Sequence, residues 1–315
     1  MVLSYRPVSY ADALSILTKV PVTIIAGGTD LMVKKRSWSN LAPTFDGDVM
    51  FVGHLEEISY IKKLEKSNQK RIHIGATITL EELLYHKDTP EILRQALGVM
   101  ASPAIRHTAT LAGNIGNASP AGDSLPVLYI LNAIVVLASS SGERQVPIED
   151  FILGPGKTAI NSDEMIKEII IDDCNFGTVY YKKVGGRKAD AISKVCFAGC
   201  GSKVDGQITD MRVAFGAVGP TVVRVRSLEE ACVNAHRALQ LSVSEKPSED
   251  GLVEPSKVNF DQGDESSNSI AREQLDSETV KKFADYVRPI DDQRSNAIYR
   301  KQIALNLLKD FITKL

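Results

Sequence analysis

The sequence predicts an α+β fold built from two regions that follow each other along the chain. In the first half, short apolar runs of β-branched residues alternate with short segments of helical periodicity. Further along, segments 194–204 and 207–218 are predicted strands on either side of Asp205-Gly206, a dipeptide that favours a type I′ hairpin turn. We therefore expect the second region to have an antiparallel sheet of its own, with the boundary at about residues 174–178.

The size and charge of the chain exclude several classes of protein. Its 315 residues, 43% hydrophobic and 24% charged, are typical of a globular protein with two or three cores. The formal net charge of −2 gives no basic field for nucleic acid or anionic lipid. No apolar run reaches the roughly 20 residues of a transmembrane helix, and the N-terminus lacks the features of a signal peptide. With four cysteines and no disulfide framework, we expect a cytoplasmic protein that binds neither nucleic acid nor membrane.

The first elements are predicted from capping residues and apolar spacing. Ser9 and Asp12 resemble a capping box, which opens a helix that continues through Val20. The β-branched run Val22–Ile25 predicts a buried strand, and the alternation of apolar and polar residues over 71–79 predicts another.

The middle of the first region is predicted to be helical. Thr79 and Glu82 form a second capping-box pattern, for a helix over 80–86. A further helix, ended by Ser102-Pro103, is predicted because its apolar residues share one face. Those residues are Ile92, Leu93, Ala96, Leu97 and Met100.

The elements that follow are predicted from local patterns as well. Asp123 or Ser124 caps a helix over 125–132, and the apolar run 133–138 is the next strand. In the second region, 222–225 is a candidate for the third strand of the sheet.

The end of the chain combines an acidic segment with helices. Segment 244–269 contains seven acidic residues and few large apolar ones, so we expect a mobile surface loop. Helices are predicted again at 278–286 and 295–313.

The first candidate binding motif is a strand that ends in two glycines, a threonine and an aspartate. It comprises Ile24, Ile25, Ala26, Gly27, Gly28, Thr29, Asp30 and Leu31. Glycine permits positive φ and lets consecutive backbone N–H groups converge on an anion, and Thr29 adds a hydroxyl donor. The alternative is a plain strand-to-helix turn in which Asp30 caps the helix.

The second candidate motif is the segment 110–123, which is rich in glycine and asparagine. It begins with Thr110, Leu111, Ala112, Gly113 and Asn114, and it ends at Asp123. Because the segment contains no Lys or Glu, it does not resemble a solvated linker. It predicts irregular backbone that lines a polar ligand, although a long irregular loop without a ligand is the alternative. Together, the two motifs suit a ligand with two phosphates or a long polar spine.

These two motifs resemble the FAD-contacting loops of the flavoprotein subunit of molybdenum-containing hydroxylases. That family includes xanthine dehydrogenase, nicotinate dehydrogenase and the medium subunit of aerobic carbon monoxide dehydrogenase. The resemblance runs almost end to end, and shorter matches support it at 5–7, 71–79, 105–106, 154–158, 181–190, 213–216 and 295–300. The segment 154–158, with the following 163–166, resembles bacterial xanthine dehydrogenase flavin subunits in particular.

The resemblance implies a fold and a set of cofactor contacts. The fold is a two-part FAD-binding domain of the vanillyl-alcohol-oxidase (PCMH) type over 1–56 and 57–176, followed by a C-terminal domain over 177–315 with a three-stranded antiparallel sheet and helices. The flavin loops fall on 24–31 and 110–114, and further contacts fall on Met100, Asp123, Ile166 and Lys183. Ala112 stands where the family usually has glycine. It is compatible with negative φ, but it would weaken cofactor binding if positive φ were required.

The resemblance also implies the function. FAD would be bound non-covalently, whereas 2Fe–2S clusters and molybdopterin would lie on partner subunits, because four cysteines cannot ligate such clusters here. This chain would have no catalytic residue and no metal of its own. It would pass electrons from the partner's clusters through FAD to NAD⁺ or another acceptor. The first choice of substrate for the whole complex is a purine, which would be hydroxylated on another chain. The alternatives are a stand-alone flavin-dependent reductase or oxidase with its own small substrate, and a scaffold without cofactor.

Overall fold

The first part of the chain forms a small parallel sheet with two helices. The structure, a computed structural model, describes residues 2–37, 41–66, 69–244 and 263–315. In chain order the first elements are β1 (Ser4–Tyr5), α1 (Tyr10–Leu17), β2 (Val22–Ile25), α2 (Leu31–Lys34) and β3 (Asp48–Phe51). The strands are parallel in the order β1–β3–β2, so the carboxyl end of β2 lies beside that of β3.

A five-stranded antiparallel sheet follows, with helices packed against it. After a 3-10 turn (Glu56–Ile58), the elements are β4 (Ile61–Lys66), β5 (Gln69–Gly75), α3 (Leu80–Tyr85), α4 (Glu91–Gly98), α5 (Pro103–Arg106), α6 (Leu111–Asn117), α7 (Leu125–Ile130), β6 (Ile134–Ser139), β7 (Gly142–Pro147), α8 (Ile148–Phe151), β8 (Ile152–Gly154), β9 (Lys157–Thr158) and β10 (Met165–Asp172). The sheet order is β4–β5–β10–β6–β7, and β8 pairs with β9 in a separate hairpin. Strand β10 lies at the centre of this sheet, and its residues Met165, Ile169 and Ile171 pack into the core of the N-terminal region.

The last part of the chain is an antiparallel sheet covered by three helices. Its elements are β11 (Thr178–Val184), β12 (Val195–Val204), β13 (Gln207–Gly216), α9 (Arg226–Ser244), α10 (Gly263–Phe283) and α11 (Ala297–Lys314). The sheet order is β11–β12–β13. Alternate residues of β12 point to opposite faces, so Cys196 and Ala198 pack into the N-terminal core while Val195 and Phe197 pack against the C-terminal helices. These observations confirm an α+β fold with a C-terminal three-stranded antiparallel sheet. We propose that the domains divide at residues 56 and 176, between the three main sheets.

The structure confirms several locally predicted elements. The run Val22–Ile25 is a strand, and Thr79 forms a complete capping box with Glu82 at the start of α3. The hairpin turns at Asp205 and Gly206, whose φ values are +51° and +78°, as a type I′ turn requires. In the capping box and the hairpin turn, residues close in the chain supply the hydrogen bonds or the permitted backbone angles.

Other boundaries differ from the prediction. Helix α1 ends at Leu17 rather than Val20, and β5 ends at Gly75 because the chain turns there towards α3. Ser102-Pro103 does not end a helix. Ser102 instead caps the start of α5, where its hydroxyl accepts the N–H of Ile105 at 3.4 Å.

The predicted third strand of the C-terminal sheet is wrong. Segment 222–225 makes a single bridge, from Val223 to Phe215, because Pro220 precedes it and α9 begins at Arg226. The third strand is Thr178–Val184, which pairs along its whole length with β12.

The predicted loop at 244–269 is tested only at its ends. Residues 245–262 lie outside the described residues. Ser244 is the last residue of α9, and the backbone from Gly263 onwards is helical within α10, so the loop prediction is wrong for 263–269.

A buried histidine joins α9 to α10. His236 Nε2 lies 2.9 Å from Asp276 Oδ1, and His236 Nδ1 lies 2.9 Å from the carbonyl oxygen of Cys232. Both ring nitrogens have acceptors, an arrangement that suits the imidazolium form. The hydrogen bond to Asp276 is the main reason that the pKa of His236 rises to about 10.

We expect the stability of the chain to fall as the pH rises above neutrality because of this histidine. Its folded pKa is raised, so its stabilising effect is complete below the unfolded pKa of about 6.5 and is lost as the pH rises to about 10. Urea unfolding at pH 7 and pH 10 should show a smaller pH effect in His236→Gln than in the wild type. The exposed His107→Gln serves as the control, and an equal pH effect in His236→Gln and the wild type would contradict the prediction.

Candidate cofactor site

The first glycine motif forms a tight turn at the end of β2. Strand β2 ends where the carbonyl of Ile25 accepts the N–H of Val52 at 2.9 Å. A Cβ atom on Gly27 would lie 1.9 Å from the carbonyl oxygen of Thr108, so only glycine permits this approach of two backbones. Gly28 has φ of +69°, which also favours glycine. Both glycines are therefore required by the backbone itself.

This turn leaves several backbone donors unpaired. Within the described part of the chain, the N–H groups of Gly27, Gly28, Thr29 and Asp30 have no hydrogen-bond acceptor. Asp30 is exposed, and its side chain does not cap α2. A turn with four consecutive unpaired N–H groups can bind an anion.

The second glycine motif contains a helix where irregular backbone was predicted. Thr110 caps α6, since its hydroxyl accepts the N–H of Gly113 at 2.9 Å. This threonine cap turns the glycine-rich sequence into a helix despite its low intrinsic propensity. Ala112 lies inside α6 with helical backbone and is buried, so the position does not require a glycine.

Two positions on the exposed face of α6 are glycines and therefore have no side chain. Gly113 and Gly116 are both exposed and three residues apart, which places them on the same helical face. A Cβ on Gly113 would meet only Thr110 Oγ1, at 3.1 Å, and one on Gly116 would meet only Ile166 Cδ1, at 3.8 Å. This glycine face of α6 is open to a ligand that approaches the backbone closely.

The structure brings the two motifs together. Gly27 packs against the backbone of Thr108, two residues before the cap of α6. Asn117, the last residue of α6, donates its amide N–H to Asp30 Oδ2 at 3.0 Å. The turn with the unpaired N–H groups and the glycine face of α6 are therefore neighbours.

Two other predicted contact residues, Asn114 and Ile166, lie next to this region. Asn114 Oδ1 accepts the hydroxyl of Ser124 at 2.7 Å, next to Asp123. Ile166 lies at a β-bulge between β10 and β6, and its side chain is the nearest neighbour of Gly116. Met100 is buried and lies two residues after the end of α4.

Asp123 lies in a buried ionic network where the C-terminal sheet packs against helices α4 and α7. Its Oδ2 is 2.6 Å from Lys183 Nζ, and its Oδ1 accepts the hydroxyl of Ser193 at 2.6 Å. Lys183 Nζ also donates to the carbonyl of Val99 at 3.2 Å, and Tyr181 donates its hydroxyl to the carbonyl of Asp123 at 3.0 Å. Residues of β11 and of the segment before β12 therefore hold an aspartate that precedes α7.

Burial and the polar contacts act in opposite directions on the pKa of Asp123. Asp123 is 7% exposed, and burial raises its pKa. The attraction of Lys183 and the hydrogen bonds from Lys183 and Ser193 act in the opposite direction. The carboxyl of Asp123 and the ammonium of Lys183 are direct partners, and the loss of either one would leave a buried charge uncompensated.

Two residues near the predicted site, Asn117 and Ser193, were not predicted individually from the sequence, and a third, Lys34, was indicated only as part of a basic run. Asn117 belongs to the second motif, but its contact with Asp30 depends on the fold. Ser193 lies 70 residues from Asp123, and Lys34 lies 83 residues from Asn117. Only the basic run at 34–36, directly after the first motif, gave a signal for Lys34.

Among the residues that the structure describes, no group of three or more His, Cys, Asp or Glu side chains could hold a metal ion. No helix in the described ranges has both the length and the apolar character to cross a bilayer.

Known proteins resemble this chain over both regions. Residues 1–172 match the family described as FAD binding domain in molybdopterin dehydrogenase, and 180–241 match the CO dehydrogenase flavoprotein C-terminal domain. The nicotinate dehydrogenase FAD-subunit of Eubacterium barkeri is 34% identical over 227 residues, covering 69% of this chain and 73% of that protein. The xanthine dehydrogenase FAD-binding subunit of Escherichia coli O157:H7 is 28% identical over 243 residues, covering 75% and 80% respectively.

A solved structure shows the same fold. A chain of the reconstituted CO dehydrogenase from Oligotropha carboxidovorans has a TM-score of 0.78 at 21% identity, covering 99% of this chain and 96% of that one. The family match spans more than half of the sequence, and it covers both glycine motifs. The chain therefore belongs to the family of FAD-binding subunits of molybdenum hydroxylases, which are oxidoreductase flavoproteins.

Proposed function

We propose that this chain binds FAD non-covalently and transfers electrons within a multi-subunit molybdenum hydroxylase of the xanthine dehydrogenase type. Its partners would be an iron–sulfur subunit with 2Fe–2S clusters and a subunit with molybdopterin. NAD⁺ or another carrier would be the final acceptor. The names of two relatives, which refer to nicotinate and xanthine, support a nitrogen heterocycle as the substrate of the assembly. The cytoplasmic location stays a prediction.

The observation that carries this proposal is the convergence of the two glycine motifs. Four unpaired backbone N–H groups, from Gly27 to Asp30, adjoin a helix with an open glycine face at Gly113 and Gly116. The N–H groups suit a diphosphate, and the missing side chains leave room for an extended dinucleotide to approach the backbone. The residues present therefore fit FAD.

The individual contacts are assigned by position in the motifs. The diphosphate and ribityl parts would be held by residues of the two motifs, namely Ile24, Ile25, Ala26, Gly27, Gly28, Thr29, Asp30, Leu31, Thr110, Leu111, Ala112, Gly113 and Asn114. Met100 would lie towards the adenine, and Asp123, Ile166 and Lys183 towards the isoalloxazine ring. FAD would supply the capacity to take up electrons singly and release them as a pair.

The chain's own residues would orient the cofactor and set its electrostatic surroundings. Thr110 fixes the start of α6 and thus the direction of the glycine face. The Asp123–Lys183 pair places one negative and one positive charge in the buried contact between the C-terminal sheet and the helices of the N-terminal region. Because burial weakens screening, these charges would act strongly on a redox group nearby.

The proposal is tested by purifying the full chain alone and with its partner subunits. We expect a yellow protein with about one FAD per chain, which is released intact on denaturation. Electron transfer from a heterocyclic substrate should require the partner subunits. A colourless chain that does not bind added FAD would refute the proposal. Turnover of a small organic substrate by the isolated chain with reduced nicotinamide would instead favour a stand-alone reductase or oxidase.

A further inference from the structure

Lys34 is a cation beside the candidate cofactor site that lacks an acidic partner. It lies at the end of α2, directly after the first glycine motif. Its Nζ donates to the side-chain oxygen of Asn117, and no carboxylate of the described residues forms an ion pair with it. The neighbouring Lys35, by contrast, is 2.5 Å from Asp46 Oδ2.

Asn117 determines the position of the Lys34 ammonium group. Its amide nitrogen donates to Asp30 Oδ2 at 3.0 Å, so its amide oxygen is free to accept from Lys34. Only this orientation of the amide satisfies both contacts, because a carboxylate accepts and an ammonium donates. The amide thus separates Lys34 from the Asp30 carboxylate and keeps the two from pairing directly.

The position of Asn117 places this charge at the edge of the glycine face. Asn117 follows Gly116 directly and lies one helical turn after Gly113. The 27–30 turn with its four unpaired N–H groups is adjacent, since Asp30 contacts Asn117. A positive charge without a carboxylate partner therefore adjoins an opening that already favours an anion.

We propose that Lys34 binds the diphosphate of the dinucleotide and that Asn117 is the residue that positions it. This inference rests on the proposed function, because it requires FAD in the site. Lys34 is exposed, so its interaction with phosphate is partly screened by solvent and by salt. We expect a moderate contribution to affinity, confined to ligands that carry phosphate.

The test compares FAD with riboflavin, which has the same ring but no phosphate. The apo form of the full chain is titrated with each ligand, and the dissociation constant is followed by flavin fluorescence. Lys34→Gln should weaken FAD binding by about tenfold and leave riboflavin binding unchanged. Lys34→Arg should restore most of the FAD affinity. The loss caused by Lys34→Gln should shrink at high salt.

Matched variants separate a phosphate contact from a structural effect. Lys35→Gln removes the same charge one residue away and should leave both affinities unchanged. Asn117→Ala should weaken FAD binding and spare riboflavin binding. An unchanged FAD affinity in Lys34→Gln, or equal losses for FAD and riboflavin, would overturn the inference while the proposed function stood. Failure of the wild type to bind FAD would overturn both.

Discussion

Gly116→Val and Gly113→Val are expected to lose most of their FAD during gel filtration while the fold of the chain is kept. A Cβ on Gly116 would have no protein atom closer than 3.8 Å, and one on Gly113 would meet only the Thr110 hydroxyl, at 3.1 Å. The side chain added at Gly116 would therefore fill ligand space, whereas the one at Gly113 would also require a small shift of the Thr110 hydroxyl. Overpacking costs about 1–3 kcal/mol, which corresponds to a loss of affinity of roughly 5- to 150-fold.

The measurement is the ratio of flavin to protein absorbance after gel filtration, together with the thermal midpoint of the apo chain. Gly47→Val is the matched control, since a Cβ there would meet no atom within 4 Å and the position lies outside both motifs. It should keep both FAD and stability. Full FAD content in Gly116→Val would remove the glycine face of α6 from the site.

A substitution of Gly27 is expected to destabilise the fold, unlike those of Gly113 and Gly116. The backbone of the protein itself requires a glycine at this position. A Cβ there would lie 1.9 Å from Thr108 O and 2.6 Å from Thr108 C, both of them backbone atoms that cannot rotate away. We expect Gly27→Ala to lower the free energy of unfolding by roughly 3 kcal/mol or more. Loss of FAD in that variant would therefore not identify a binding residue, whereas loss in Gly116→Val would.

Asp123→Asn and Lys183→Met are expected to shift the flavin reduction potential in opposite directions. The first leaves the Lys183 ammonium without its carboxylate, and this positive charge should raise the potential by stabilising the reduced cofactor. The second leaves the Asp123 carboxylate, which should lower it. Each single variant should also be destabilised by about 3–5 kcal/mol, because an uncompensated charge remains buried.

The double variant and the pH dependence distinguish electrostatics from general damage. Asp123→Asn with Lys183→Met removes both charges, so the potential and the free energy of unfolding should return towards the wild-type values. Burial already raises the pKa of Asp123, and without Lys183 it should rise further. Lys183→Met should therefore become more stable as the pH falls, since the folded state then takes up the proton. Shifts of the same sign in both single variants would contradict this account.

The sequence determined the elements that are stabilised by near neighbours. Thr79 and Glu82 are three residues apart and cap α3 by themselves, and Asp205-Gly206 satisfies the backbone angles of its hairpin. The glycine at position 28 is a local requirement in the same way, because its φ of +69° favours glycine, whereas the second motif is helical where irregular backbone was predicted. The family resemblance rested on the two glycine motifs, and the comparisons confirmed it.

Only the tertiary structure decided how these parts meet. Segment 222–225 has the composition of a strand, but Thr178–Val184 pairs with β12 along its length and takes that place in the sheet. The contact of Asp30 with Asn117 joins residues 87 positions apart, and that of Asp123 with Ser193 joins residues 70 apart. A local pattern can specify a cap or a turn because both partners are close in the chain. It cannot specify which distant polar groups become buried together, since that choice depends on the packing of entire sheets and helices.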